Sequence, residues 1–200
     1  MITKKLTASD VCRFAIERNK VNFTSTDDIG LFEVVCRGEL ERLISPDESV
    51  LDVVSRWTTW SLEERASNYL ILKVDYVTNH VKNMAFGQTL YPTCEVLFAE
   101  NRSFKRCFFK YVQGTIAQLK DAKSTKHLKE WNCDDLLWYF GCEIKRQPPK
   151  KFNLTFITKD DLIKRSKTNP CFGKTMCFKT EKDLYKWLCT VLLINVNIPF

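Results

Sequence analysis

No segment constrains local folding more than Ser45-Pro46-Asp47-Glu48. A serine precedes a proline whose missing N–H costs nothing at the first helical position, and Glu48 stands where it closes a capping box. The spacing predicts a helix starting there, with Val50, Leu51, Val54 and Trp57 on one stripe and Val53 and Trp60 widening it. Ser61-Leu62-Glu63-Glu64 repeats the box at once. A second helix with Leu62, Arg65, Ala66, Tyr69 and Leu70 is therefore expected to turn back, making an antiparallel helical pair.

The flanking sequence reads the same way. Thr7 to Asp10 caps a helix with Val11, Phe14 and Ala15 on one face, and Phe23 to Asp28 caps another with Ile29, Phe32, Val35 and Cys36 at spacings of three and four. Gly38 marks a break before one or two turns carrying Leu40, Leu43 and Ile44. Beyond Tyr91 the pattern stays helical, through Cys94, Leu97 and Phe98 and then Phe104, Phe108, Tyr111, Val112 and Ile116. Residues 120 to 130 are almost wholly polar and read as a linker or exposed turn.

After that stretch the texture changes. Asn132 introduces a short helix with Leu136, Leu137, Tyr139 and Phe140. Phe152 to Thr158 alternates as a strand should, Thr158 to Asp161 caps another short helix, and Lys174 to Lys179 is a second strand. Thr180 caps a final helix carrying Leu184, Trp187, Leu188, Val191 and Leu192. The fold class expected is mainly α: a helical bundle over residues 1–118, a polar linker over 119–131, and a small basic mixed α/β unit over 132–200.

Charge supports a division. Residues 1–100 hold 11 Lys and Arg against 15 Asp and Glu, and residues 101–200 hold 20 against 9. Arg102, Lys105, Arg106 and Lys110 fall at helical spacing among Phe104, Phe108, Phe109 and Tyr111, and Lys145, Arg146, Lys150 and Lys151 frame a Pro-Pro turn. Aromatics interleaved with cations are what single-stranded nucleic acid binders present, and any solvated amphipathic helix presents the same pattern.

Motifs for catalysis are thin. There is neither a P-loop nor Gly-x-Gly-x-x-Gly, and neither His80 nor His127 sits in a triad or metalloprotease pattern. The paired acids Asp27-Asp28, Glu63-Glu64, Asp134-Asp135 and Asp160-Asp161 each open a predicted helix, where they favour the dipole. Nine cysteines are spread among apolar neighbours, and His127, Cys133, Cys142, Cys171 and Cys177 lack the Cys-x-x-Cys pairs of a zinc site, so core thiols are expected. The asparagine triplets at Asn22, Asn101 and Asn153 read as chance, since no secretory signal accompanies them. No apolar run reaches the roughly 18 residues a membrane helix needs. The expectation is a non-enzymatic protein without metal or cofactor, cytoplasmic or nuclear.

From Val11 to Val77 the order of segments resembles the BACK domain of BTB and Kelch proteins. The residues carrying the resemblance are Phe14 to Asn19, Ser25 to Ile29, Glu39 to Ser45, Val50 to Trp57 and Ser61 to Arg65. The linker before the Val50 helix is short here, Pro46 to Ser49, and neither BTB nor Kelch parts are expected beside the match. The resemblance implies an adaptor or a competitor in cullin-type ubiquitin-ligase assembly, with a cullin-type scaffold or a BTB protein as partner. It puts Phe14, Arg18 and Phe23 near the partner contact. Lys174 to Val191, a strand followed by a Trp-bearing helix, has a short likeness to the end of a pleckstrin-homology domain. The alternative function is binding of nucleic acid or phosphoinositide through the basic half.

Overall fold

The computed structural model of the chain describes residues 6–18, 22–23, 29–85, 93–159 and 170–193. Two compact units divide within one helix, between Val77 and Thr78, and not across the polar stretch 119–131 that the sequence offered as a linker.

The first unit holds α1 (Ala8–Glu17), β1 (Ile29–Val35), β2 (Leu40–Leu43), α2 (Val50–Trp57), α3 (Leu62–Arg65), β3 (Tyr69–Val74) and the start of α4 (Tyr76–Ala85). β1 is the central strand, antiparallel to β3 on one side and β2 on the other. A core of Ala8, Cys12, Ile29, Leu31, Ile44 and Val53 forms between these strands and the helices α1 and α2, with Leu70, Leu72 and Trp57 packed around it.

The second unit contains β4 (Thr93–Ala99), β5 (Lys105–Val112), β6 (Thr115–Leu119), β7 (His127–Asn132), β8 (Leu136–Gly141), β9 (Phe152–Thr158), β10 (Lys174–Phe178) and α5 (Glu181–Leu193). Its strands run β8-β9-β10-β4-β5-β6-β7, all antiparallel. Aromatic rings fill its interior: Phe98 lies 4.9 Å from Phe109, Trp131 5.4 Å from Phe156, and α5 drives Trp187 edge-on towards Phe109 at 6.4 Å. Edge-to-face pairs of this kind add roughly 0.5–1.5 kcal/mol each beyond the area they bury.

The expected helical bundle is therefore overturned; the described residues form ten strands. The reason lies in particular segments. All seven residues of β1 are buried, so Ile29, Phe32 and Val35 at three-residue spacing are three points on a strand covered on both faces. In β5, residues alternate faces, so Phe108 and Tyr111 of the apparent helical set fall on opposite ones, with Phe104 just ahead of the strand. The β5–β6 hairpin closes through Gln113 (φ 46°) and Gly114 (φ 82°), the two positive φ values of a two-residue type I′ turn. Gln-Gly marks such a turn less clearly than Asn-Gly does. The stretch expected as a linker ends in β7, and the short helix expected after Asn132 is mostly β8.

Several caps stand where the sequence puts them. Thr7 makes a full capping box with Asp10, Ser61 receives the N–H of Glu64, and Thr180 receives that of Asp183 at 3.1 Å. The Ser45 box is different: Ser49 caps α2, and Ser45 donates to Asp47 instead. The short helix expected after the cap at Thr158 to Asp161 falls outside the described residues.

Candidate protein-interaction surfaces

α1 shows how the first unit presents side chains. Ala8, Cys12 and Ala15 face the core, which turns Arg13, Phe14 and Glu17 outward, and Arg18 follows at the C-cap. Arg13 is held by Asp10 at 2.7 Å, and its guanidinium lies 5.3 Å from the Phe14 ring centre. Phe14 is 41% exposed, unusually open for an aromatic ring on a helix that already buries one face. Of the three residues that the BACK resemblance puts near a partner, Phe14 and Arg18 are at the surface, whereas Phe23 packs against the core.

Behind that surface lies a polar network that sequence reading missed. Arg42 of β2 donates to Glu33 of β1 (2.8 Å) and to both oxygens of Glu48 (2.7 and 3.2 Å). Arg56 of α2 also donates to Glu48, and the indole N–H of Trp57 donates to the other oxygen of Glu33 at 2.7 Å. Glu48 thus clamps two arginines and does not cap a helix. Burial raises its pKa, but the hydrogen bonds and charges of Arg42 and Arg56 outweigh burial, and the net shift is downward from the usual 4.5. Its ionised form therefore stabilises the folded first unit above that value, and the contribution drains away as pH falls below about 4.5 towards the lowered folded value. Glu48→Gln is expected to flatten the pH dependence of first-unit stability below pH 4.5. Urea melts followed by amide exchange in β1 check this, and an unchanged acid limb would place the acid sensitivity elsewhere.

In the second unit the proposed basic patch comes apart. Arg106 and Lys110 lie on one face of β5 and Lys105 on the other, because neighbouring strand residues point to opposite sides. Arg106 pairs with Glu95, and Lys145 with Glu143 at 3.1 Å. Arg102, Lys150 and Lys151 are exposed, with the Lys151 ammonium 4.9 Å from the Phe152 ring centre. Arg146 is not a surface cation at all: it is 3% exposed and donates to backbone oxygens and Thr175. A cavity of about 430 Å³ opens between Phe98, Asn101, Lys105, Gln118 and Leu128, with the Glu100–Lys129 ion pair (2.7 Å) in its wall.

The remaining candidates are accounted for locally. His80 stacks on Tyr185 at 4.3 Å, and His127 Nδ1 lies 2.5 Å from Glu130. Burial pushes the Cys133 and Cys142 thiols up to about 11, the character of core residues. No group of three or more His, Cys, Asp and Glu among the described residues could hold a metal ion. Asp134 and Asp135 lie within a 3₁₀ turn that begins at Cys133, with the Asp134 N–H donating to the Asn132 side chain; Asp27, Asp28, Asp160 and Asp161 lie outside the described residues. Among the described residues, no helix is long and apolar enough to cross a membrane.

Residues 1–74 match the Ras association (RalGDS/AF-6) domain family. The chain is 30% identical, over 66% of its length, to human Arf-GAP with Rho-GAP domain, ANK repeat and PH domain-containing protein 2. It is 25% identical, over 96% of its length, to the mouse protein 3 of the same description. It spans only 8% and 12% of those two relatives. The crystal structure of the coiled-coil, RA and PH domains of lamellipodin shares the fold, with a TM-score of 0.68 over 94% of this chain and 78% of that one, at 15% identity. These matches overturn the BACK resemblance, which needs helices where β1, β2 and β3 stand, and with it the cullin-ligase adaptor role. The alternative of nucleic acid or phosphoinositide binding through one basic half loses its premise with the dispersed cations.

Proposed function

We propose that this chain is a non-enzymatic protein-interaction module whose first unit binds a small GTPase of the Ras type. The observation that carries the reading is the match of residues 1–74 to the Ras association family, over the stretch that folds as the first unit. α1 supplies the surface that suits it. Phe14 offers an apolar anchor, and Arg13 and Arg18 offer planar, multivalent donors beside it. Aromatic and Arg side chains of this kind dominate measured interface energies.

The test is titration of the intact chain against purified Ras-type GTPases, each loaded with GDP or with a non-hydrolysable GTP analogue. Binding that prefers the triphosphate state is expected. Phe14→Ala with Arg18→Ala is expected to weaken it at least tenfold, about 1.4 kcal/mol or more, while leaving the thermal melt in place, because both side chains are exposed. Equal binding of the two nucleotide states, or none across the panel, would remove the reading.

A further inference from the structure

We propose that this chain associates with a second copy of itself, the β8–β9 connection of one copy seating on the exposed face of α2 in the other. Each surface has an apolar centre that the fold leaves in water. On the β8–β9 connection Ile144 is 72% exposed, the most exposed large hydrophobic side chain among the described residues. On α2, Leu51 is 68% exposed and Val54 36%; three residues apart, they are neighbours on one helical face, while Val53 is buried on another. One apolar stripe is enough to hold a surface helix to its core, and α2 carries a second beside it.

The charges around the two centres are opposite. Lys145, Lys150 and Lys151 share the short connection with Ile144 and are exposed. Asp47 and Asp52, also exposed, stand on either side of Leu51 in the sequence at the start of α2. Residues 45–65 hold five acids against two arginines, whereas residues 144–151 hold three lysines, one arginine and no acid. Both surfaces are also held in place from below. Ile144 opens a 3₁₀ turn closed by the Arg146 N–H to Glu143 O at 2.9 Å and the Gln147 N–H to Ile144 O at 2.8 Å. The Arg146 side chain anchors that turn to Ala99, Phe172 and Thr175, and Pro148 and Pro149 fix two further φ angles. On the other side, the Ser49 cap, buried Val53 and the Arg56–Glu48 pair fix α2. Surfaces this firmly held lose little conformational freedom on docking.

The pairing of unlike faces follows from these charges. An isoleucine knob set between Leu51 and Val54 brings the lysines to the acids beside them. Packing α2 on α2 would set aspartate against aspartate, and packing the connection on itself would set lysine against lysine, so each face selects the other. The two centres are small beside the roughly 1,200 Å² that a stable interface buries, which makes the association weak and dependent on charge. The inference is independent of GTPase binding, since α1 takes no part in the contact and the test contains no GTPase.

Sedimentation equilibrium of the intact chain, from low micromolar to near-millimolar concentration, is expected to show a mass that rises above that of one chain. The association constant should fall at least fivefold between about 0.1 M and about 1 M salt, as the screening length shortens from roughly 10 to roughly 3 Å. Two variants reverse one face each: Asp47→Lys with Asp52→Lys on α2, and Lys145→Glu with Lys150→Glu and Lys151→Glu on the connection. Each alone should associate at least tenfold more weakly. Equimolar mixing of the two should restore association, because every reversed face then meets its complement. Ile144→Ser should also weaken association at least tenfold, whereas Lys120→Glu with Lys123→Glu and Lys126→Glu, an equal change of charge on the β6–β7 connection, should not; circular dichroism confirms that each variant is folded. Four results would each overturn the proposal: a single-chain mass at every concentration, association that survives both reversals, a mixture of the two variants that stays monomeric, or an equal loss in the β6–β7 variant.

Discussion

Arg146→Met is expected to lower the stability of the second unit by roughly 3–5 kcal/mol, because it leaves several buried acceptors short of a donor at about 1–3 kcal/mol each. One guanidinium here ties two separate stretches of chain to its own. It donates to Ala99 O at 2.8 Å and Glu100 O at 3.3 Å at the end of β4, and to Phe172 O at 3.2 Å and Gly173 O before β10. It also donates to Thr175 Oγ1 at 2.9 Å, and only its Nε finds no acceptor among the described residues. Methionine replaces much of the stem volume but brings no donor. Every acceptor left without water then carries an unmet desolvation cost of about 1–3 kcal/mol. Lysine keeps the charge, but its three donors cannot copy a planar fork serving five oxygens, so Arg146→Lys should recover only part of the loss. Amide exchange should speed up in β4 and β10 and stay unchanged in β1, which belongs to the other unit. Equal protection in β4 and β10 of variant and parent would mean that water replaces the guanidinium.

Arg146 also shows why part of the molecule could not be read from sequence. A cation beside two prolines and three lysines has every local mark of a solvated turn, and its burial depends on carbonyls 46 residues before it and 26 after it. Signals contained within four residues survived better: the Thr7, Ser61 and Thr180 caps are local hydrogen-bond exchanges and formed as written. Phe152 to Thr158 and Lys174 to Phe178 were legible as strands for a similar reason, their β-formers being bounded by turn residues. β1 was not legible. A strand buried on both faces loses the alternation that identifies it, and its apolar run then fits a helix equally well. That ambiguity, together with Leu40 to Leu43 and Tyr69 to Leu70 likewise read as helical, turned a strand-centred unit into a helical bundle and made the order of segments resemble BACK. At the surface, the apolar stripe written as Val11, Phe14 and Ala15 put Phe14 with the core residues, and its exposure was not legible from that spacing; the Glu33–Arg42–Glu48 network was not legible either, because Glu48 fitted a capping box equally well.

That network carries the second large effect. Arg42→Met should destabilise the first unit by about 3–5 kcal/mol, because it takes from the buried Glu33 carboxylate, 1% exposed, the cation that stands 2.8 Å away. Glu33→Met alone is also costly, since it leaves the Trp57 N–H without its acceptor and the Arg42 charge resting on Glu48. The double variant removes both charges of the 2.8 Å pair, so its loss should be smaller than the two single losses added, by roughly 1–3 kcal/mol of coupling. Urea denaturation with amide exchange in β1 and β2 reads all four corners of the cycle. Strict additivity would mean that Arg42 stabilises the unit through Glu48 and α2, with Glu33 answering mainly to Trp57. Coupling of the expected size would make the pair a tie that joins β1 to β2.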